Sequence, residues 1–232
     1  MTAPAVRNVG AFVSSAGGAN ATVALATHQT GDIILLFCQN QVGGSSLTFN
    51  QNTAGFALLD YATSAGARGC YVYWVRATSS SMTNPSVTCS TNHQLLVSIS
   101  ISGCIATGNP WDVSASTDFT ATSSWSWPAV TTTVADTLIV YAGGAVRDST
   151  GGWLSAEANA NLSSITERAD DSISTNNGGG LAVWTGISAS AQNIGSGTGT
   201  AAASYAGDVI TVSMIPPAVA GGDTAGDFFQ FF

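Results

Sequence analysis

Apolar and polar positions alternate along several short segments of this chain. In Val97–Ile101 the apolar residues alternate with serines, which predicts a strand with one buried face and one wetter face. Residues 33–37 are apolar without alternation, as expected of a strand covered on both faces. No segment has a convincing 3.6-residue period, and the best helix candidate is the short stretch 154–165. The pattern predicts an all-β protein with four to five antiparallel strands in each half.

The second half of the chain repeats the first. Similar segments recur in the same order, and the offset between them grows from 104 to 110 to 113 residues, as insertions in later loops would produce. Alternating β patterns can match by chance, but blocks of constant offset favour a duplication. The aligned segments are Gly31–Phe37 with Ala135–Tyr141, Trp74 with Trp184, and Val97–Ile101 with Ile210–Met214.

These observations predict an antiparallel, jelly-roll-like β-sandwich built from two duplicated halves, with an extended C-terminal tail. The first repeat spans 1–107 and the second spans 108–217. They pack together as one sandwich or stand as two sandwiches in tandem. Residues 218–232 form a spacer and a phenylalanine-rich end.

Composition narrows the function. The chain has no lysine, and its five arginines face thirteen carboxylates, for a net charge of −8. Nucleic-acid binding requires clustered positive charge, and an anionic membrane would repel this surface. No apolar run is long enough to span a membrane, and the N-terminus lacks the pattern of a secretory signal. We therefore expect synthesis in a cytoplasm, with no nucleic-acid or membrane partner.

Motifs for catalysis are hard to find. The two histidines, His28 and His93, are predicted in surface turns without metal-ligand spacing. The only glutamates are Glu157 and Glu167, and no nucleophile elbow or phosphate loop occurs. Gly195–Gly199 is predicted to be a loop. We expect a non-enzymatic protein without catalytic residues, cofactor or metal.

Two tryptophans offer a binding hypothesis. Trp125 and Trp127 are two residues apart and therefore share one face of a strand. Exposed rings there could stack on a sugar, whereas rings in a core or subunit interface would serve packing. The second functional hypothesis is accordingly a carbohydrate-binding module or a lectin-like domain for host adsorption.

The four cysteines are expected to be free thiols. Cys38, Cys70, Cys89 and Cys104 have no cysteine at the aligned positions of the second half, so each can serve as a small apolar residue. Synthesis in a cytoplasm also disfavours disulfides.

The C-terminal tail carries the candidate partner-binding residues. Pro216 and Pro217 end strand pairing, and a small-residue spacer follows. The last five residues contain four phenylalanines, which would form a large apolar patch if left in water. We expect them to insert into a groove on a neighbouring subunit; the alternative is that they fold back on their own sandwich. The residues are Phe228, Phe229, Phe231 and Phe232.

Four segments together resemble a group of tailed-bacteriophage virion proteins. They are the Gly-Asp pair with its aliphatic run at 31–37, the strand ending in Trp-Val-Arg at 73–76, Asn-Pro-Ser-Val-Thr at 84–88 and the Ile-Ser-Gly close at 98–103. The resemblance implies a structural virion component, such as a capsid decoration or a head- or tail-fibre part, made in the host cytoplasm. It also implies partners in itself, as a homotrimer, and in other virion proteins. Host-surface glycans are partners in the second hypothesis only.

Overall fold

The computed structural model describes residues 2–15, 19–40, 48–64, 68–88, 93–174 and 178–218. Regular structure in these ranges is entirely β. The described residues contain no helix, and therefore none that could cross a membrane. The short helix considered for 154–165 is wrong, because strands occupy this stretch. Ala156 and Ser164 both have positive φ there (56° and 53°), outside the right-handed helical region.

The described residues form fifteen strands. They are β1 Ala5–Val9, β2 Val13–Ser15, β3 Asn20–Thr22, β4 Ile33–Asn40, β5 Thr48–Gln51, β6 Ala57–Ser64, β7 Arg68–Arg76, β8 Ser86–Thr88, β9 Gln94–Ser102, β10 Trp111–Trp127, β11 Thr137–Ala145, β12 Leu154–Ala158, β13 Ser163–Ile173, β14 Gly179–Ser188 and β15 Gly197–Met214.

Two six-stranded antiparallel sheets share one strand order. The first runs β1-β9-β4-β7-β6, with β2 also paired to β9. The second runs β10-β15-β11-β14-β13, with β12 also paired to β15. Each strand of the first path therefore has a counterpart in the second. The chain completes the first sheet by Ser102 and begins the second at Trp111.

The sheets face each other across a shared core, so the two halves form one β-sandwich. Side chains from both inner faces belong to one buried cluster, and each large one contributes about 1.5–3 kcal/mol of burial free energy. Its members from the first sheet include Ile33, Leu35, Phe37, Val72, Val97 and Ile99; those from the second include Leu138, Val140, Val183, Ile210 and Val212.

The inner faces show that part of the sequence alignment is one residue out of register. An offset of 104 places Ile34 over Leu138, yet Leu138 lies in the shared core and Ile34 packs on the outer face of the first sheet. Similarly, Trp74 packs against the shared core, whereas Trp184 lies on the outer face of the second sheet. Their predicted equivalence is wrong, because a one-residue shift reverses the face of every side chain in a strand.

The outer faces are covered differently. The three-stranded sheet β3-β8-β5 lies over the first sheet and encloses a second core with Leu36, Cys38 and Tyr73. Over the second sheet, β10, β12 and the long strand β15 enclose a third core that is dominated by aromatic rings. The two halves therefore differ in the layer that covers the outer face of each sheet.

Candidate functional site

Trp125 and Trp127 belong to the third core, so of the two alternatives for this pair the rings pack in a core and are not exposed for a glycan. Their side chains are 1% and 0% exposed. The two rings lie 5.8 Å apart, and Trp127 also meets Trp184 edge-on at 5.4 Å. The indole N–H of Trp127 donates to the carbonyl of Ala142 at 2.8 Å, which satisfies its one polar group.

Glycines make room for these rings. A Cβ at Gly143 would lie 3.0 Å from Trp125 and 3.1 Å from Trp127. A Cβ at Gly197 would lie 2.8 Å from Tyr141 and 2.9 Å from Trp184. Gly197 opens β15, so the predicted loop at Gly195–Gly199 is in part a strand. These glycines allow the rings to pack closely, although their sequence context is more typical of a turn.

The histidines are buried, contrary to the predicted surface turns. The Nδ1 of His28 lies 2.7 Å from the carbonyl of Ala26, and its Nε2 accepts the backbone N–H of Met82 at 3.3 Å. The Nε2 of His93 lies 3.3 Å from the side-chain oxygen of Gln39. Both rings hold neighbouring segments in place.

The two glutamates meet on β12 and β13. Burial raises the pKa of Glu167, and the nearby Asp170 and Glu157 carboxylates raise it further, as does a hydrogen bond that the protonated Glu167 donates to Glu157. Carboxyl groups in direct hydrogen-bond contact leave no space for a glycosidic bond, which needs a separation of about 5 Å or more. Asp170 meanwhile accepts the backbone N–H groups of Trp153 and Leu154 at 2.7 and 3.0 Å. This cluster ties β12 to β13.

The described cysteines are buried. Cys70 and Cys104 are free thiols, and burial is the main cause that raises the pKa of each. Cys38 is buried in the second core. Cys89 lies outside the described residues, so the prediction for all four cysteines stays open to experiment.

A buried ion pair joins the two halves. Arg68 on β7 and Asp208 on β15 approach to 3.0 Å with side chains 8% and 1% exposed. The guanidinium also donates to the carbonyls of Phe119 and Gly207 at 3.0 and 3.2 Å. Burial raises the pKa of Asp208 to about 7; Arg68 opposes the shift and Asp118 adds to it. Asp118 lies directly opposite Asp208 in the β10–β15 ladder.

A polar cavity opens beside this pair, where β6 and β10 meet at one seam of the sandwich. Its volume is about 470 Å³. Asp60, Tyr61 and Thr63 line it from the first sheet, and Ser116 and Asp118 line it from the second. We call it the seam cavity.

Two apolar cavities lie at the end of the sandwich where β4 and β11 begin. One, of about 500 Å³, includes Ala3, Pro217 and Ala218 in its lining; the other, of about 330 Å³, includes Ala3 and Arg168. We call this region the terminal groove. The predicted partner-binding residues Phe228, Phe229, Phe231 and Phe232 lie outside the described residues, ten or more positions beyond Ala218.

Comparison of the chain with protein-family models, with curated proteins and with solved structures finds no match. Within the described ranges, no group of three or more histidine, cysteine or acidic side chains has an arrangement that could hold a metal ion.

Sequence reasoning missed the seam cavity and the ion pair behind it. Asp60 and Ser116 are 56 positions apart and belong to different repeats, yet they share a hydrogen bond. No local motif links them. The one usable signal for the ion pair was the scarcity of positive charge. The chain has only five arginines, so each of them, including Arg68, was a candidate for a pair with a carboxylate.

Proposed function

We propose that this chain is a structural or accessory subunit of a tailed-bacteriophage virion, a capsid decoration or a head- or tail-fibre component. It acts by packing against neighbouring subunits. The sequence resemblance supplies the virion context, and the terminal groove is the structural observation that supports packing.

The groove is apolar and lies where the first described residues of the chain, near Ala3, meet the last ones, Pro217 and Ala218. Thr2, Ala3 and Ala5 line both of its cavities, and Pro217 and Ala218 form one rim. Concave apolar surface rimmed by polar residues is typical of an interaction site. The fourteen residues that follow Ala218 in the sequence carry the phenylalanines. In the proposal they anchor the subunit to a neighbour, which has the same groove.

The charged side chains support a passive role. Arg7 pairs with Asp32, and Arg68 pairs with Asp208. The guanidinium of Arg76 donates to the carbonyls of Ile105 and Gly108. Three of the five arginines thus hold segments of the fold together.

Quantitative mass spectrometry of purified particles tests the proposal. We expect this chain in the particles at tens to hundreds of copies. A chain that lacks residues 219–232 should fold with an unchanged far-UV spectrum and be missing from particles. A full-length protein that is absent from particles would contradict the virion proposal. A truncated protein that is incorporated normally would contradict anchoring by the tail alone.

A further inference from the structure

Arg168 differs from the other four arginines in how little of its guanidinium is engaged. Each of the other four has at least two guanidinium nitrogens on oxygen acceptors. Within the described part of the chain, Arg168 has one hydrogen bond, from Nε to the Thr185 hydroxyl at 2.8 Å, and no carboxylate partner. Its two terminal nitrogens therefore keep their donors for an incoming acceptor.

A β-bulge sets the position of this side chain. In the β13–β14 ladder, Glu167 lies opposite Trp184 and Ala169 lies opposite Val183, so Arg168 is the extra residue between them. A bulge of this kind re-aims a side chain away from the regular alternation of a strand. Arg168 accordingly lines the smaller cavity of the terminal groove.

The cavity around Arg168 combines one cation with an apolar lining. Its volume is about 330 Å³, and it adjoins the cavity of about 500 Å³, because Thr2, Ala3 and Ala5 line both. Both volumes fall within the range usual for ligand sites. Burial lowers the pKa of the Arg168 guanidinium, so a carboxylate that entered would stabilise its charge. The groove therefore favours a ligand that carries a carboxylate beside apolar groups. The apolar lining near Arg168 consists of Ala3, Pro4, Val6, Leu138 and Ile187.

The chain itself contains a segment with this chemistry. Two acidic residues follow Ala218 in the sequence. Asp227 directly precedes Phe228 and Phe229, whereas Asp223 lies among glycine, threonine and alanine. In an extended segment the side chains alternate in direction, so the carboxylate at 227 shares one face with the rings at 229 and 231, at intervals of about 7 Å. Only the second aspartate can thus bring a carboxylate and aromatic rings to the groove together.

We propose that the terminal groove binds residues 227–232 of a neighbouring copy, with the Asp227 carboxylate on the Arg168 guanidinium and phenylalanine rings on the apolar lining. This rests on the proposed function, in which the tail anchors a subunit to its neighbour, and it names the residues that recognise each other. Two terminal guanidinium nitrogens match two carboxylate oxygens, which fixes the orientation of the segment. Copies with a net charge of −8 repel one another, so a pair of opposite charges favours this one mode of contact.

Sedimentation velocity of full-length variants tests the pairing. Asp227→Asn and Arg168→Gln should each raise the dissociation constant of the oligomer by about tenfold or more, as expected from loss of a hydrogen-bonded charge. Asp223→Asn removes the same charge from the same segment and should stay within about twofold of the original protein. Because both aspartates follow the last strand in the sequence, their variants test the pairing without a change in the sheets.

A charge exchange distinguishes a neighbouring copy from the chain's own tail. Arg168→Asp and Asp227→Arg should each weaken the oligomer, because groove and tail then carry the same charge. An equal mixture of the two variants should form mixed oligomers, visible by native mass spectrometry, since each variant supplies the charge that the other lacks. The double variant should form oligomers by itself.

Four results would overturn the proposal. They are a full-length original protein that is a monomer at micromolar concentration, an unchanged oligomer in Asp227→Asn, equal weakening by Asp223→Asn, and two exchanged variants that keep native far-UV spectra and do not mix. The last would place groove and tail in one chain. Particles that incorporate Arg168→Gln protein normally would contradict this pairing and leave the proposed function standing, whereas absence of the original protein from particles would contradict the proposed function itself.

Discussion

Replacement of Gly207 by alanine tests whether glycine in β15 is required for the aromatic core. The added Cβ would lie 2.7 Å from Cζ of Phe119 and 2.7 Å from Cζ2 of Trp125, well inside ordinary carbon contact of about 3.5–4.0 Å. Neither neighbour is a flexible chain end, since the two rings pack edge-on at 4.6 Å. Without this overlap the substitution would stabilise the strand, because glycine in a strand costs about 0.5–1 kcal/mol relative to alanine.

Overpacking of a dense core costs about 1–3 kcal/mol, and two rigid neighbours place this site in the upper part of that range. After the strand gain is subtracted, we expect a net destabilisation of about 1–2 kcal/mol. For a chain of this size that lowers Tm by about 2–8 °C. The sign of the change is thus the most informative quantity.

Urea unfolding followed by circular dichroism measures the change, with Ala203→Val on the exposed face of β15 as the control. A second variant removes the obstacle. Trp125→Leu is destabilising alone, but in its background Gly207→Ala should cost at least about 1 kcal/mol less. A Gly207→Ala protein as stable as the original, or two effects that simply add, would refute the packing argument.

Three further predictions follow from buried and terminal groups. Because burial raises the pKa of Asp208 to about 7 from 3.8, the folded state binds a proton more readily than the unfolded state, and the contribution of this group to stability falls as pH rises between these values. The unfolding free energy should therefore drop by about 2–3 kcal/mol through this group between about pH 5 and pH 8. In Asp208→Asn the dependence of the unfolding free energy on pH should be flatter. An equally steep dependence in the variant would show that another group is responsible. The buried thiols of Cys70 and Cys104 should resist Ellman's reagent in native protein and react after unfolding, and non-reducing peptide mapping should show four free cysteines; two or more disulfides would contradict this. Light scattering should show a trimer for the full chain and a smaller species for the chain without residues 219–232, whereas a full-length monomer at micromolar concentration would count against a self-contained oligomer.

Much of the fold was predictable from local pattern. The apolar run at 33–37 and the alternation in Val97–Ile101 identify β4 and β9, and the double proline marks the end of β15. The wetter face predicted for β9 is wrong, because Ser98 and Ser100 are buried and donate to the carbonyls of Ala24 and Thr27 in the chain that covers them. The sequence could not predict which side chains of β4 point into the shared core. Ile33 and Ile34 are equally apolar, and only the packing of the two sheets decides which of them lies there. Each half of the chain completes its own sheet. The jelly-roll order of connections therefore stays a prediction.

The candidate site was less accessible to sequence reasoning. A tryptophan pair at two-residue spacing signals one face of a strand but cannot tell a solvent face from one that another layer covers. The glycines that accept those rings read as turn residues. The seam cavity depends on contacts between β6 and β10, whose meeting is set by the packing of whole sheets and by no local motif.

The way the arginines are anchored governs how a protease meets this protein. Trypsin cuts only after lysine and arginine, and this chain offers five sites and no lysine. Arg7, Arg68, Arg76 and Arg168 lie in paired strands, and Arg147 is tied by hydrogen bonds to Ser149 and to the carbonyls of Gly152 and Thr150. Cleavage of the native protein at the four strand arginines must wait for strands to open, and cleavage at Arg147 for its hydrogen bonds to break, so the rate of digestion reports local unfolding at these five points.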